Sequence, residues 1–220
     1  MSEKILAWHF VQNDRKLRFS KSQRLVRTGQ VLHVNPEKLE LCSFGLHASR
    51  RAMDALKYAP GPIICRVELS GKIIEDKDKL CAERRKVLWM ADATETLHEF
   101  VCQAAEAALA QIPKEEIDPR SLAAIAAKRK WLKREINNDE LNKAYDEAWK
   151  AYDEKYGGGR RAQPLVAARL CALVPLNTAL PHAAAAAAID GAHAAVVDCK
   201  YYFNIDLNDK LEEMLNQLHW

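Results

Sequence analysis

The sequence predicts an α+β protein: a small mixed β-sheet domain over residues 1–92, then an all-helical part over residues 93–220. Short apolar runs separated by turn residues fill the first part, as in residues 4–11 (KILAWHFV) and 63–69 (IICRVEL), and their aromatic and β-branched content suits strands. From residue 93 the apolar positions instead recur at three- and four-residue spacing, which suits helices. The charge changes sign at the same place. Residues 1–92 carry 18 Lys and Arg against 11 Asp and Glu, a net of +7, whereas residues 93–220 carry 15 against 19, a net of −4.

The elements follow in order. Residues 4–11 make a first, buried strand; Asn13 and Asp14 turn the chain, and residues 16–19 return as a hairpin partner. Thr28 and Gly29 turn again before a strand over residues 30–34, and Asn35-Pro36 breaks the chain. The stretch 41–71 organises the rest. It reads as an apolar segment ending at Gly45, then a helix over residues 50–59 with Ser49 as N-cap, then a strand from residue 63 that continues to 74. Pro60-Gly61-Pro62 stops the helix. Residues 75–79 form a charged turn and 80–90 the returning strand. Asp92 and Thr94 start a strongly amphipathic helix over 93–111, and residues 113–119 link it onward. A helical hairpin spans 120–156 with a weak point at Asn137-Asn138, and its Trp131, Leu132, Ile136, Leu141, Tyr145, Trp149 and Tyr152 make a packing stripe. Residues 157–161 (GGGRR) read as a linker, because they follow no strand and lack the GK[ST] ending of a phosphate loop. Three helical stretches close the chain, at 164–173, 181–199 and 208–219.

At 220 residues, with 49% hydrophobic and 29% charged content, the composition is that of a soluble globular protein. The longest apolar run, residues 183–189, is too short and too alanine-rich to span a bilayer, and no signal-peptide pattern opens the chain, so a cytoplasmic location is expected. Six cysteines (Cys42, Cys65, Cys81, Cys102, Cys171 and Cys199) lie scattered in apolar contexts with neither a disulfide framework nor a zinc spacing, so no metal is expected. The basic first part suits an anionic ligand; a solvated basic face accounts for it equally well.

The polar members of the central stretch are the candidate site. His47, His9 and Tyr58 are the catalytic candidates, and Ser49, Arg50, Arg51, Arg66 and Glu68 the ligand-binding ones. Arginine suits phosphate because its planar fork donates two hydrogen bonds at once. Ser49 lacks the flanking glycines of a nucleophile elbow, so hydrolysis is not the first choice.

Two resemblances bear on these residues. The run CSFGLHASRRAMDALKYAPGPIICRVELSGKI, with the later DKDK and LWMADATETLHEF, resembles an uncharacterised domain family encoded by bacteriophages and prophages. Its pattern is Cys, two residues, Gly, an apolar residue and His, then a short helix ending in Tyr, a Val-Glu-x-x-Gly strand and an Asp-Lys turn. The likeness covers residues 3–110 and continues weakly into an alanine-rich tail ending at Lys210-Leu-Glu-Glu-Met-Leu215. It implies a phage origin and points to no particular activity. Gly45-Leu-His-Ala-Ser49, Ala55-Leu-Lys-Tyr58 and Val67-Glu-Leu-Ser-Gly71 are also similar to the central part of ADP-ribosyltransferase folds. In the RNA 2′-phosphotransferase branch a His stands where His47 stands here, and His9 takes the place of the His beside the nicotinamide-side ribose. His9 is followed by Phe10, not by Gly and Thr or Ser, and no acidic residue aligns with the transferase glutamate.

These readings lead to a phage-encoded intracellular protein that binds a host component, as an anti-defence or host-takeover factor, with a nucleotide or anion site in the basic domain. An NAD-using ADP-ribosyltransferase-like enzyme, active or degenerate, is the alternative. The helical region would supply a host-protein or homo-oligomer surface. Direct DNA binding is the weaker reading, because Lys128-Arg129-Lys130 and Lys133-Arg134 are interrupted by Glu135, Asp139 and Glu140.

Overall fold

A computed structural model describes residues 4–17, 24–156, 199–201 and 204–219. They fall into two compact units, one within Met1–Ala93 together with Asn208–Trp220, the other within Thr94–Leu207. The class is α+β, with the sheet in the first unit and helices dominating the second.

Five strands build the sheet: β1 (Ile5–Val11), β2 (Val31–His33), β3 (Leu46–Ala48), β4 (Ile63–Glu75) and β5 (Leu80–Asp92). Their order is β1-β4-β5-β2, and β3 pairs β5 beside β2. Every pairing between these strands is antiparallel, where a mixed sheet was expected. Ser49, just after β3, bridges back to Trp8 on β1 through Trp8 N–H to Ser49 O (2.7 Å) and Ser49 N–H to Trp8 O (2.9 Å). Hydrogen bonding thus runs from β1 through β4, β5 and β3 back to β1, which curls the sheet toward a barrel and protects its edges.

The inner face holds Ile5, Ala7, Val11, Ala48, Cys65, Val67, Leu69, Leu80, Ala82 and Val87. Ala82 and Val87 both face inward although their spacing is odd, which a regular strand cannot give. The β4–β5 hairpin breaks register between Ser70 and Ile73, and this restores the arrangement. Gly71 sits in that break at φ +80°, where a Cβ would strike the Glu83 carboxylate. Only glycine meets both demands cheaply.

The opposite face of β1 carries Trp8 and Phe10, both buried. Trp8 lies edge-on to Trp89, Arg66 stacks on Trp8, and His219 lies against Trp89. This face is covered by α1 (Ala52–Leu56), and α1 packs against α5 (Asn208–Asn216).

Several local expectations are corrected. The helix is five residues long, not the span 50–59, and Ser49 does not cap it. Its first amides bond instead to α5: Ala52 N–H to Glu212 Oε1 at 3.0 Å and Met53 N–H to Asn208 Oδ1 at 3.2 Å. Before Gly45 there is a turn with a lone Glu40–Phe44 bridge, and the strand follows the glycine. Among the described residues Lys16 bridges Leu25 and not the first strand; residues 18 and 19 of the expected hairpin partner lie outside the described residues. The last helix, expected in the helical part, belongs to the sheet unit.

In the second unit α2 (Thr94–Leu109) buries Leu97, Phe100, Val101, Ala104 and Ala108. Next come α3 (Pro119–Leu132), capped by Asp118 with Pro119 in its first turn, and α4 (Asn138–Tyr156). Asn137 and Glu140 form a reciprocal capping box, with Glu140 N–H to Asn137 Oδ1 at 3.0 Å and Asn137 N–H to Glu140 Oε2 at 2.9 Å. The weak point read at Asn137-Asn138 is therefore a helix start. Trp131, Leu132, Ile136, Tyr145 and Trp149 are half-buried and Leu141 is buried, as a packing stripe requires. The linker at 157–161 and the helices at 164–173 and 181–199 lie outside the described residues, apart from Cys199 itself.

Candidate anion site

Inside the curled sheet a guanidinium stands without a counter-charge. Arg85 lies opposite Leu69 across the hairpin and is 2% exposed. Its Nη1 donates to the His47 carbonyl at 2.6 Å, while its Nε is buried without a partner. Desolvation pushes its pKa down to about 10, and the one group pulling it back up is the Cys65 thiol. Among the described residues no carboxylate pairs with it. A buried cation with neither a carboxylate nor a full set of acceptors is costly.

Two imidazoles feel the charge of this cation. His9, on β1 opposite Cys65, is pushed well below the usual histidine range by burial first, then by Arg85 and by His47. Its ring makes no hydrogen bond among the described residues. His9 is set among protein atoms yet is half-buried rather than fully buried. His47, on β3, is lowered by burial, then by Arg85 and Lys79, against a backbone hydrogen bond at Gly45 that raises it. Its Nε2 accepts the Cys42 N–H at 3.3 Å. That bond requires Nε2 to be bare, so the ring is neutral with its proton on Nδ1.

The loop that holds His47 is fixed by small residues. Gly45 has φ +145°, and a Cβ there would collide with the Cys81 sulfur; Cys81 in turn donates to Phe44 O at 3.3 Å. Cys42 adopts φ +67° at the turn, and the Lys79 ammonium bonds to its side chain.

The other candidates have their own places. Tyr58, exposed just past α1, donates to the Asp78 carboxylate at 2.9 Å, and the Lys79 ammonium sits 5.3 Å from its ring centre. Lys79 therefore stands between Tyr58 and His47. Ser49 is buried and spends its backbone on Trp8. Arg50 is closed in a bidentate pair with Glu75, at 2.6 and 2.9 Å. Arg51 is the residue before α1, half-buried. Arg66 stacks 4.4 Å from the Trp8 ring centre with a buried, unpartnered Nη1, and Glu68 pairs with Lys4 at 3.1 Å. Both His9 and His47 thus feel the charge of Arg85, Tyr58 lies at the Lys79 side, and Arg50, Arg66 and Glu68 are given to other contacts.

Arg85 was missed in the sequence because Glu83-Arg84-Arg85-Lys86 looks like a solvated charged run. The available signal was Gly71 inside a strand, which marks a bulge and hence a change of facing. Among the described residues no three His, Cys, Asp or Glu side chains gather as a metal-binding group. No helix among them is long and apolar enough to cross a membrane. The helical unit has a separate groove of about 640 Å³, lined in part by Glu95, His98, Trp131 and Ile136.

No curated protein and no solved structure matches the chain. Residues 5–99, from β1 into α2, match the model of a family described as a domain of unknown function (DUF7666).

Proposed function

We propose that the sheet unit binds an anionic ligand, a nucleotide through its phosphate, at the Arg85 guanidinium. The observation that carries this is Arg85: a guanidinium 2% exposed, with no carboxylate partner among the described residues. An incoming phosphate supplies the missing counter-charge and accepts the free N–H, converting a destabilising feature into a bidentate or charge-assisted contact. The wider reading, a phage protein that binds a component of the host cell, rests on the resemblance of residues 3–110 to the phage-encoded family; the helical unit would be its partner or self-association surface.

The test is calorimetric titration of the intact chain with NAD, with linear and cyclic dinucleotides and with a mononucleotide, repeated on Arg85→Met and His47→Ala. Saturable binding to at least one nucleotide, lost in Arg85→Met while the fold survives, is the expected result. No heat from any of them overturns the reading.

The ADP-ribosyltransferase-like alternative is favoured by one feature, the influence of His47 on His9. Such a site would work electrostatically, orienting NAD and stabilising a positive ribosyl transition state. Carboxylates are not among the groups acting on either ring, so the binding reading comes first. Release of nicotinamide from NAD by the wild-type chain and not by His47→Ala would reverse that order.

A further inference from the structure

Two cysteines meet at the turn before β3. Glu40 and Phe44 bridge one another through both backbone hydrogen bonds, so Cys42 is the middle residue of a closed three-residue loop. At that apex it is exposed and takes φ +67°, in the left-handed region. Cys81, on β5, is buried beneath the same loop: its Sγ lies 3.3 Å from Phe44 O and 3.9 Å from Glu40 O, one carbonyl on each side of Cys42 in the chain. Cys42 is two residues from each of these anchors, which at about 3.3–3.6 Å per residue keeps its Cα within roughly 7 Å of theirs. A second contact holds the loop over the same spot. His47 stands directly opposite Cys81 across β3 and β5, so the two side chains share a face, and His47 Nε2 accepts the Cys42 N–H at 3.3 Å. Cys65, Cys102 and Cys199 are buried, so among the described residues an oxidant in solution meets Cys42 first.

From this placement we infer that Cys42 and Cys81 form an oxidation site, in which a hydroperoxide oxidises Cys42 and Cys81 then closes a disulfide with it. In the first step the Cys42 sulfur, reacting as thiolate, attacks the peroxide; the O–O bond breaks, a sulfenic acid forms and one water leaves. In the second the Cys81 sulfur attacks the Cys42 sulfur, the S–S bond forms, the S–O bond breaks, and the departing hydroxide takes the Cys81 proton as a second water. The two thiols lose two electrons and the peroxide gains them. A disulfide needs its Cα atoms about 4.4–6.8 Å apart, so closure asks for an inward settling of a three-residue loop and leaves the sheet in place. Cys81 gives up only weak hydrogen bonds to two carbonyl oxygens, since a thiol is a poor donor.

The experiment treats the reduced full chain with hydrogen peroxide, with and without dimedone to capture sulfenic acid, and maps the cysteines by mass spectrometry. Wild type is compared with Cys42→Ser and with Cys81→Ser, which keeps a donor for the Phe44 carbonyl. Expected in wild type is a loss of two hydrogens in mass, reversed by dithiothreitol, with a peptide linking Cys42 to Cys81. Dimedone capture at Cys42 should rise severalfold in Cys81→Ser, and Cys42→Ser should leave Cys81 as a free thiol. Dimedone capture at Cys42 that is equal in wild type and Cys81→Ser overturns the role of Cys81. A link from Cys42 to another cysteine overturns the pairing, and wild-type chain that keeps both thiols under peroxide overturns the site. The wild-type map decides these last two points whether or not either variant folds.

Discussion

Arg85 is an expensive residue to keep in the middle of a sheet. Its pKa, lowered to about 10 from the ordinary guanidinium range, corresponds to roughly 3 kcal/mol of unfavourable desolvation, which the single bond to the His47 carbonyl offsets only in part. A buried ion replaced by an apolar side chain of similar length is often neutral or stabilising. Arg85→Met should therefore leave the melting temperature unchanged or raise it by a few degrees, checked by thermal denaturation at pH 7. A drop of ten degrees would show Arg85 to be a structural strut. Lys128 in the helical unit offers a parallel case: it is buried, its Nζ has no hydrogen-bond partner, and it lies 4.7 Å from the Trp131 ring centre. Burial lowers its pKa to about 8 from 10.5. Between those values the unfolded chain binds more protons than the folded one, so stability rises with pH from 8 to 10.5, and the full penalty applies below 8. That penalty is about 3 kcal/mol. Lys128→Met should raise stability to denaturant at pH 7, with the gain fading near pH 10.5; a gain of equal size at both values would point to packing instead of charge.

At the level of elements, the short α1 depends on α5. A five-residue helix is far below the length at which helices persist alone, so its ends need outside partners. Glu212 supplies one, accepting from both Ala52 N–H and Asn208 Nδ2 at 3.0 Å, and its charge also acts on the half-buried Arg66. Glu212→Ala leaves one amide bare and Arg66 without its favourable charge, and should cost about 1–3 kcal/mol. Urea denaturation measures it, and Glu212→Gln should recover part of the loss by keeping an acceptor for the amide. This contact was illegible in the sequence because its partners are 160 positions apart. Ser49 looked like the cap, since Ser before an apolar helical run usually is one, but its backbone is taken by Trp8 on β1, which moves the helix start to Ala52. The strands were more readable: β1, β4 and β5 carry enough β-branched and aromatic residues for local pattern to decide them. The site was legible in part. His9 and His47 stood out as polar residues at strand positions, whereas Arg85 needed the register break near Gly71 to turn it inward, and one-dimensional pattern does not count bulges.

For the whole molecule, the chain leaves the sheet unit at Ala93 and returns to it at Asn208, so the sheet unit is discontinuous in sequence and the other unit is set between its two parts. A break in sequence of this kind makes the last segment a test of cooperativity. Leu211 and Leu215 on α5 are fully buried, and His219 lies against Trp89. Ending the chain after Leu207 would expose those contacts and strip the caps from α1. Burying two leucines contributes several kcal/mol, of the order of the entire stability of a small domain, at about 1.5–3 kcal/mol each. The truncated chain should show a lower melting temperature by tryptophan fluorescence and loss of hydrogen-exchange protection at Ala52, Met53 and the β1 amides. Amides of α2 and α3 belong to the other unit and should keep most of their protection. Equal loss in both units would mean that they fold as one cooperative body, and unchanged protection at Ala52 and Met53 would mean that α1 stands without α5.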